Sequence, residues 1–129
     1  MTIKNALVVD DSKSARMMLQ RLLSKINVQA EAVDSAEAAL TFLESSQPDV
    51  IFMDHMMPGM DGLEATRKIR SFEKENNLPA VPLVAVTANA FEEDRQQSLD
   101  AGCTAFLVKP IRKADMFQCV ARAVGRIEA

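Results

Sequence analysis

The chain has 129 residues, 48% of them apolar, and a formal net charge of −3. That is the size and composition of one domain with a full core, and without a run of Lys or Arg it does not favour a nucleic-acid partner. No apolar stretch approaches the ~18 residues of a membrane span, the N-terminus lacks the features of a secretion signal, and Cys103 and Cys119 lack metal-ligand spacing and read as buried reduced thiols in a cytoplasmic setting.

Ala6-Leu7-Val8-Val9 is a continuous apolar run, the pattern of a strand buried on both faces. Ala15, Met18, Leu19, Leu22, Leu23 and Ile26 follow at helical spacing and predict a helix with one apolar stripe. Ala30–Val33 predicts a weaker strand at a sheet edge. Asp34 with Glu37 has the form of a capping box, and Ala36, Ala39, Leu40 and Leu43 continue the helix it opens. Gln47-Pro48-Asp49 ends that helix. Val50-Ile51-Phe52-Met53 is the most apolar run and predicts the central strand.

Pro58 and Gly59 mark a loop from Asp54 to Asp61. Asp61 is the expected N-cap of a helix carrying Leu63, Thr66, Ile69 and Phe72. Pro79 and Pro82 fence off the strand Leu83–Val86. Residues 89–100 predict a polar helix whose few apolar residues are Ala90, Phe91 and Leu99, with Gly102 as the residue after its end. Thr104–Val108 predicts the fifth strand, and Met116, Phe117, Val120 and Val124 the stripe of the last helix. Strands alternating with helices at this spacing predict an α/β fold with a parallel sheet covered on both faces. No internal repeat or interdomain linker interrupts the pattern.

Every strand but the second ends on chemistry: Asp10-Asp11, Asp54, Thr87 and Lys109. In a parallel sheet those ends share one edge. Three carboxylates there repel one another and require positive charge, which Lys109 and a hard divalent cation would supply. A carboxylate can also act as a nucleophile toward phosphorus, giving an acyl phosphate. Asp54, at the end of the central strand, is the chosen nucleophile. Thr87 offers a hydroxyl and Lys109 an ammonium to phosphoryl oxygens, and the carbonyl of Met56 is in reach of the cation. His55, the only histidine, is expected to point away from the pocket by strand alternation. Met56, Met57 and Met60 are expected to be partly exposed. The connection Glu73–Pro82 is polar and longer than it needs to be.

The segments Leu7-Val8-Val9-Asp10-Asp11-Ser12, Asp54-His55-Met56-Met57-Pro58-Gly59-Met60-Asp61-Gly62, Val86-Thr87-Ala88 and Lys109-Pro110 resemble those of the receiver domain of two-component response regulators, of the chemotaxis-receiver type. The resemblance implies a flavodoxin-like (βα)5 fold with a five-stranded parallel sheet in the order 2-1-3-4-5 and the site at the switch point. It implies one receiver domain over residues 1–129, with a core at about 4–125 and no output domain in this chain. Asp54 would accept a phosphoryl group from a phosphohistidine on a sensor histidine kinase or a histidine phosphotransfer protein. Asp10, Asp11, Asp54 and the carbonyl of Met56 would hold Mg²⁺, or Mn²⁺ in its place. Thr87 and Lys109 would bind the phosphoryl group, and Thr87 and Phe106 would switch the surface of helix 4, strand 5 and helix 5 toward a downstream protein. Phe106 stands where many relatives carry Tyr, which removes a hydroxyl from that switch.

Two other functions compete. An aspartyl phosphohydrolase would carry a second acid two residues after the nucleophile, and Met56 stands there instead. A phosphorylation-independent interaction module of the same fold would not need Asp10, Asp11, Asp54, Thr87 and Lys109 together. Neither a membrane nor a nucleic acid is an expected partner, and no glycine-rich phosphate loop supports nucleotide binding.

Overall fold

The computed structural model describes residues 4–55, 57, 59–88, 92–109 and 111–128, without the side chains of residue 94 and residues 122–128. In chain order the elements are β1 (Asn5–Val9), α1 (Lys13–Ser24), β2 (Gln29–Val33), α2 (Ala36–Ser45) and β3 (Val50–Asp54). Then come α3 (Gly62–Glu75), β4 (Leu83–Thr87), α4 (Glu92–Ala101), β5 (Ala105–Val108) and α5 (Lys113–Glu128). The strands form one parallel sheet in the order β2-β1-β3-β4-β5, as the resemblance implies.

Strand alternation sorts the core into two layers. Val8, Phe52, Val84 and Val86 face Leu19 and Leu23 of α1 and Met116, Cys119 and Val120 of α5. Leu7, Val9, Ile51, Met53, Leu83 and Ala85 face Ala36, Ala39 and Leu43 of α2 and Ala65 and Ile69 of α3. β3 is buried at every residue, as its composition predicts, and β2 at the edge is the most exposed strand. Both cysteines are buried as reduced thiols.

The caps follow local chemistry. Ser12, Ser35 and Asp61 accept the backbone N–H of Ala15, Ala38 and Glu64, respectively. The expected cap at Asp34 is thus corrected by one residue: α2 begins at Ala36, and Ser35 lies directly before it. Gly102 follows α4 at φ +114, where a Cβ would also strike the side chain of Arg70. The apolar stripes are narrower than their spacing suggests. Met18 is 39% exposed and Phe117 59%, because each lies off the line of residues that reaches the sheet. Met57 departs the other way and is buried in the α2–α3 layer, with Met60 partly buried beside it.

α4 is the least embedded helix. Among its described side chains only Ser98 and Ala101 are buried. Among the described residues the buried Ser98 hydroxyl has no hydrogen-bond partner. Ala90 and Phe91, expected at the start of this helix, lie outside the described residues, as does the Val124 side chain expected in α5. The connection after α3 is anchored rather than merely polar. Glu73 is buried, and its carboxylate accepts Arg70 Nη1 at 2.9 Å and the Val81 N–H at 2.7 Å.

Candidate functional site

β1, β3, β4 and β5 deliver their last residues to one edge of the sheet. Because the strands are parallel and in near-even register, Val9 lies beside Met53, Asp54 beside Val86, and Thr87 beside Val108. Asp10 extends β1 by one residue, its N–H donating to the carbonyl of Val33 at 3.2 Å. Lys109 extends β5 in the same way, its N–H donating to the carbonyl of Thr87 at 2.7 Å.

The carboxylates of Asp10, Asp11 and Asp54 converge, with their ligand oxygens all within 4.8 Å of one another. Asp10 and Asp54 are buried at 1% and 6% exposure, and Asp11 is exposed at the mouth. Lys109 Nζ lies 3.3 Å from Asp10 Oδ2 and 3.5 Å from Asp54 Oδ1. One ammonium lies against two of the three carboxylates, so negative charge is in excess among the described residues. At an effective dielectric near 20, two carboxylates at this spacing repel by about 3.5 kcal/mol. The charges show in the titration of the site. Burial, and then Asp10, push the Asp54 carboxyl up from 3.8 to about 6, against the opposing pull of Lys109. Burial works to lower Lys109, but Asp54 and Asp10 outweigh it and the ammonium is held above its ordinary 10.5.

The three acids are not equivalent. Asp10 is engaged at both oxygens, Oδ1 accepting the Ser12 N–H at 2.9 Å and Oδ2 facing Lys109. Asp11 makes no side-chain hydrogen bond among the described residues, and Asp54 is bonded only through Oδ1 to Lys109. Asp11 and Asp54 therefore have the freest oxygens, in a pocket with surplus negative charge. That donor set fits a hard divalent cation such as Mg²⁺, which prefers carboxylate oxygens and keeps several waters.

The loop after β3 is held to the site by close packing. The His55 N–H donates to Val86 O at 2.8 Å, and the Gly62 N–H to His55 O at 3.1 Å. A Cβ at Gly62 would collide with the carbonyl oxygen of Asp54 and lie 3.0 Å from the Cα of His55. Only glycine lets the first turn of α3 approach the backbone of Asp54 this closely.

The strand-end residues expected from the sequence thus meet in the fold. Thr87 is buried at 2% exposure at the end of β4. Phe106 is half-buried on β5, packed against the α2–α3 layer and paired in register with Ala85. Met56, expected to offer its carbonyl, lies outside the described residues, as does Pro110. His55 is half-buried, and its buried Nδ1 has no partner among the described residues. One contact at the site had no signal in the spacing of residues: Arg16 Nη1 donates to the main-chain carbonyl of Asp10 at 2.8 Å. A helical pattern marks Arg16 as polar but does not say where it reaches. A cavity of about 230 Å³ lined by Leu43, Ile69, Phe72 and Val81 lies at the opposite end of the sheet, away from the carboxylates.

The profile of the response regulator receiver domain matches residues 6–121. The hybrid signal transduction histidine kinase L of Dictyostelium discoideum is 38% identical over 117 residues, which is 88% of this chain but 7% of that kinase. The chain thus spans a small fraction of that relative's length. The chemotaxis protein CheY4 of Vibrio cholerae has the same fold at a TM-score of 0.85 and 27% identity, covering 95% of this chain and 99% of that one. The receiver domain of the sensor histidine kinase PA1611 of Pseudomonas aeruginosa superposes at a TM-score of 0.83 with 31% identity, covering 96% of this chain and 99% of that domain. That receiver holds a magnesium ion in its active-site cleft.

Proposed function

The chain belongs to the response regulator receiver domain family, and from that premise we propose that Asp54 is the residue it phosphorylates. The observation that carries this reading is the convergence of Asp10, Asp11 and Asp54 within 4.8 Å, with Lys109 Nζ at 3.3 and 3.5 Å from two of them.

The donor is a phosphohistidine on a sensor histidine kinase or a histidine phosphotransfer protein. An oxygen of Asp54 forms a bond to phosphorus while the P–N bond to the donor imidazole breaks. The bonding pair stays on that nitrogen, which takes up a proton. Catalysis of such a transfer is mostly positioning and charge neutralisation. Lys109 follows the phosphoryl oxygens from its place beside Asp54, and the Thr87 hydroxyl, at the adjacent strand end, serves another oxygen. Asp11 and Asp54, with Asp10 beside them and the carbonyl of Met56, would hold Mg²⁺, or Mn²⁺ in its place; when bound the ion supplies positive charge to phosphoryl oxygens. The product is an acyl phosphate on the protein itself, so the domain signals rather than turns over external substrates. The setting is cytoplasmic, where such donors reside; no helix of the described residues is long and apolar enough to cross a membrane.

The readout is the surface of α4, β5 and α5, presented to a downstream protein. α4 buries only two described side chains, and Phe106 is half-buried on the strand beside Thr87. A few kcal/mol at the phosphoryl group is enough to bias so lightly held an element between two positions.

Acetyl phosphate with magnesium should add one phosphoryl group to the protein, seen by intact mass. The label should be absent after chelation and absent in Asp54→Asn. Labelling of Asp54→Asn at the rate of the unaltered chain would refute the assignment. Amide exchange with beryllofluoride should change in α4, β5 and α5; unchanged protection there would remove the proposed readout surface.

A further inference from the structure

We propose that Arg16 is a positioning residue for the cation site, acting by clamping the peptide that joins Asp10 to Asp11. The inference rests on the reading of Asp10, Asp11 and Asp54 as a magnesium site. Arg16 lies one turn into α1 and is half-buried, and its Nη1 donates to the carbonyl of Asp10 at 2.8 Å. The carbonyl of residue 10 and the nitrogen of residue 11 share one planar unit. Fixing that oxygen therefore fixes the plane from which the Asp11 backbone departs.

Among the described residues no other group bonds that carbonyl. β1 ends at Val9 and α1 begins at Lys13, so the Asp10–Asp11 peptide lies between the sheet ladder and the helix. The remaining polar groups of Asp10 are held elsewhere: its N–H by Val33 O, its Oδ1 by the Ser12 N–H, its Oδ2 by Lys109. Asp11 is exposed and has no side-chain hydrogen bond among the described residues to orient it. Its carboxylate inherits its direction from the backbone. Without Arg16 that carbonyl loses its partner and the 10–11 peptide is held only through the Ser12 N–H on Asp10 Oδ1, so the Asp11 oxygens are less firmly kept beside Asp54.

The guanidinium exerts a second effect of opposite sign. It places positive charge 2.8 Å from the Asp10 carbonyl, beside the cation site, so its removal, by Coulomb attraction alone, would tighten cation binding. The sign of the change in affinity therefore separates positioning from charge. A residue that only stabilised the fold would move neither the affinity nor the motion of the Asp11 peptide in the folded protein.

The test is calorimetric titration of the full chain with magnesium chloride, in the unaltered protein, Arg16→Met and Arg16→Lys. Arg16→Met should bind the ion about tenfold more weakly, the range found for residues that orient metal ligands. Arg16→Lys keeps the charge on a shorter stem and should also weaken binding. Relaxation dispersion at the Asp11 amide, recorded without metal, should show exchange in the variants and none in the unaltered chain. Unchanged or tighter binding in Arg16→Met overturns the inference; should that variant not fold, unchanged binding in Arg16→Lys does the same. Absence of magnesium binding in the unaltered protein would instead sink the metal reading beneath it.

Discussion

Replacing Asp54 with asparagine should stabilise the metal-free protein. The carboxyl is held at about 6 in the folded chain against an ordinary 3.8. At about 1.36 kcal/mol for each pKa unit, ionised Asp54 costs the native state up to about 3 kcal/mol. The open mouth beside exposed Asp11 admits solvent and salt, which reduces the expected cost to about 1–3 kcal/mol. Asparagine has the same shape and no charge, so it removes the cost. The sign of the pH dependence follows from the raised value. Between pH 3.8 and about 6 the folded state holds a proton that the unfolded chain has lost, so this group lowers stability as pH rises. The penalty is complete above pH 6 and absent below 3.8. Urea unfolding in EDTA should therefore find Asp54→Asn more stable at pH 7.5, with the gap closing toward pH 4. Magnesium at a hundred times its Kd should return about 2.7 kcal/mol to the unaltered chain and narrow the gap at neutral pH. An asparagine variant no more stable at pH 7.5, or a gap independent of pH, would refute this electrostatic account.

Gly62→Ala should destabilise by about 1–3 kcal/mol in urea unfolding, because the added Cβ meets the backbone of Asp54 and His55 rather than a flexible side chain. Ser98→Ala should stabilise by about 1 kcal/mol by the same measurement, since it removes a buried hydroxyl without a partner; a loss of stability would reveal a bond to that hydroxyl. Lys109→Met strips the partner from two buried carboxylates and should destabilise the metal-free chain by about 1–3 kcal/mol, with part of the loss recovered in magnesium. The same variant should still titrate with magnesium by calorimetry yet lose the amide-exchange response of α4 and β5 to beryllofluoride. Equal loss of both would contradict the role given to Lys109.

Composition and spacing were enough to read the alternation of strands and helices and the residues at the strand ends. Short unbroken runs such as Val50–Met53, bounded by turn residues, read as strands covered on both faces, and parallel strands collect their last residues on one edge. Asp10, Asp11, Asp54, Thr87 and Lys109 were legible for that reason. What the linear pattern left open was decided by distances between elements. Helical spacing does not say how far a stripe reaches, so Met18 and Phe117 read as core but face outward, while Met57 reads as loop and is buried. Nor does spacing show that α3 must begin with glycine because it abuts Asp54, or that Glu73 turns inward to hold the loop before β4. Arg16 is the sharpest case, since a polar helix residue carries no mark of the carbonyl it bonds. Periodicity reports which face a residue shares with its own neighbours in the chain. Only the packed fold sets the ångström-scale distances on which hydrogen bonds, proton affinities and cation sites depend.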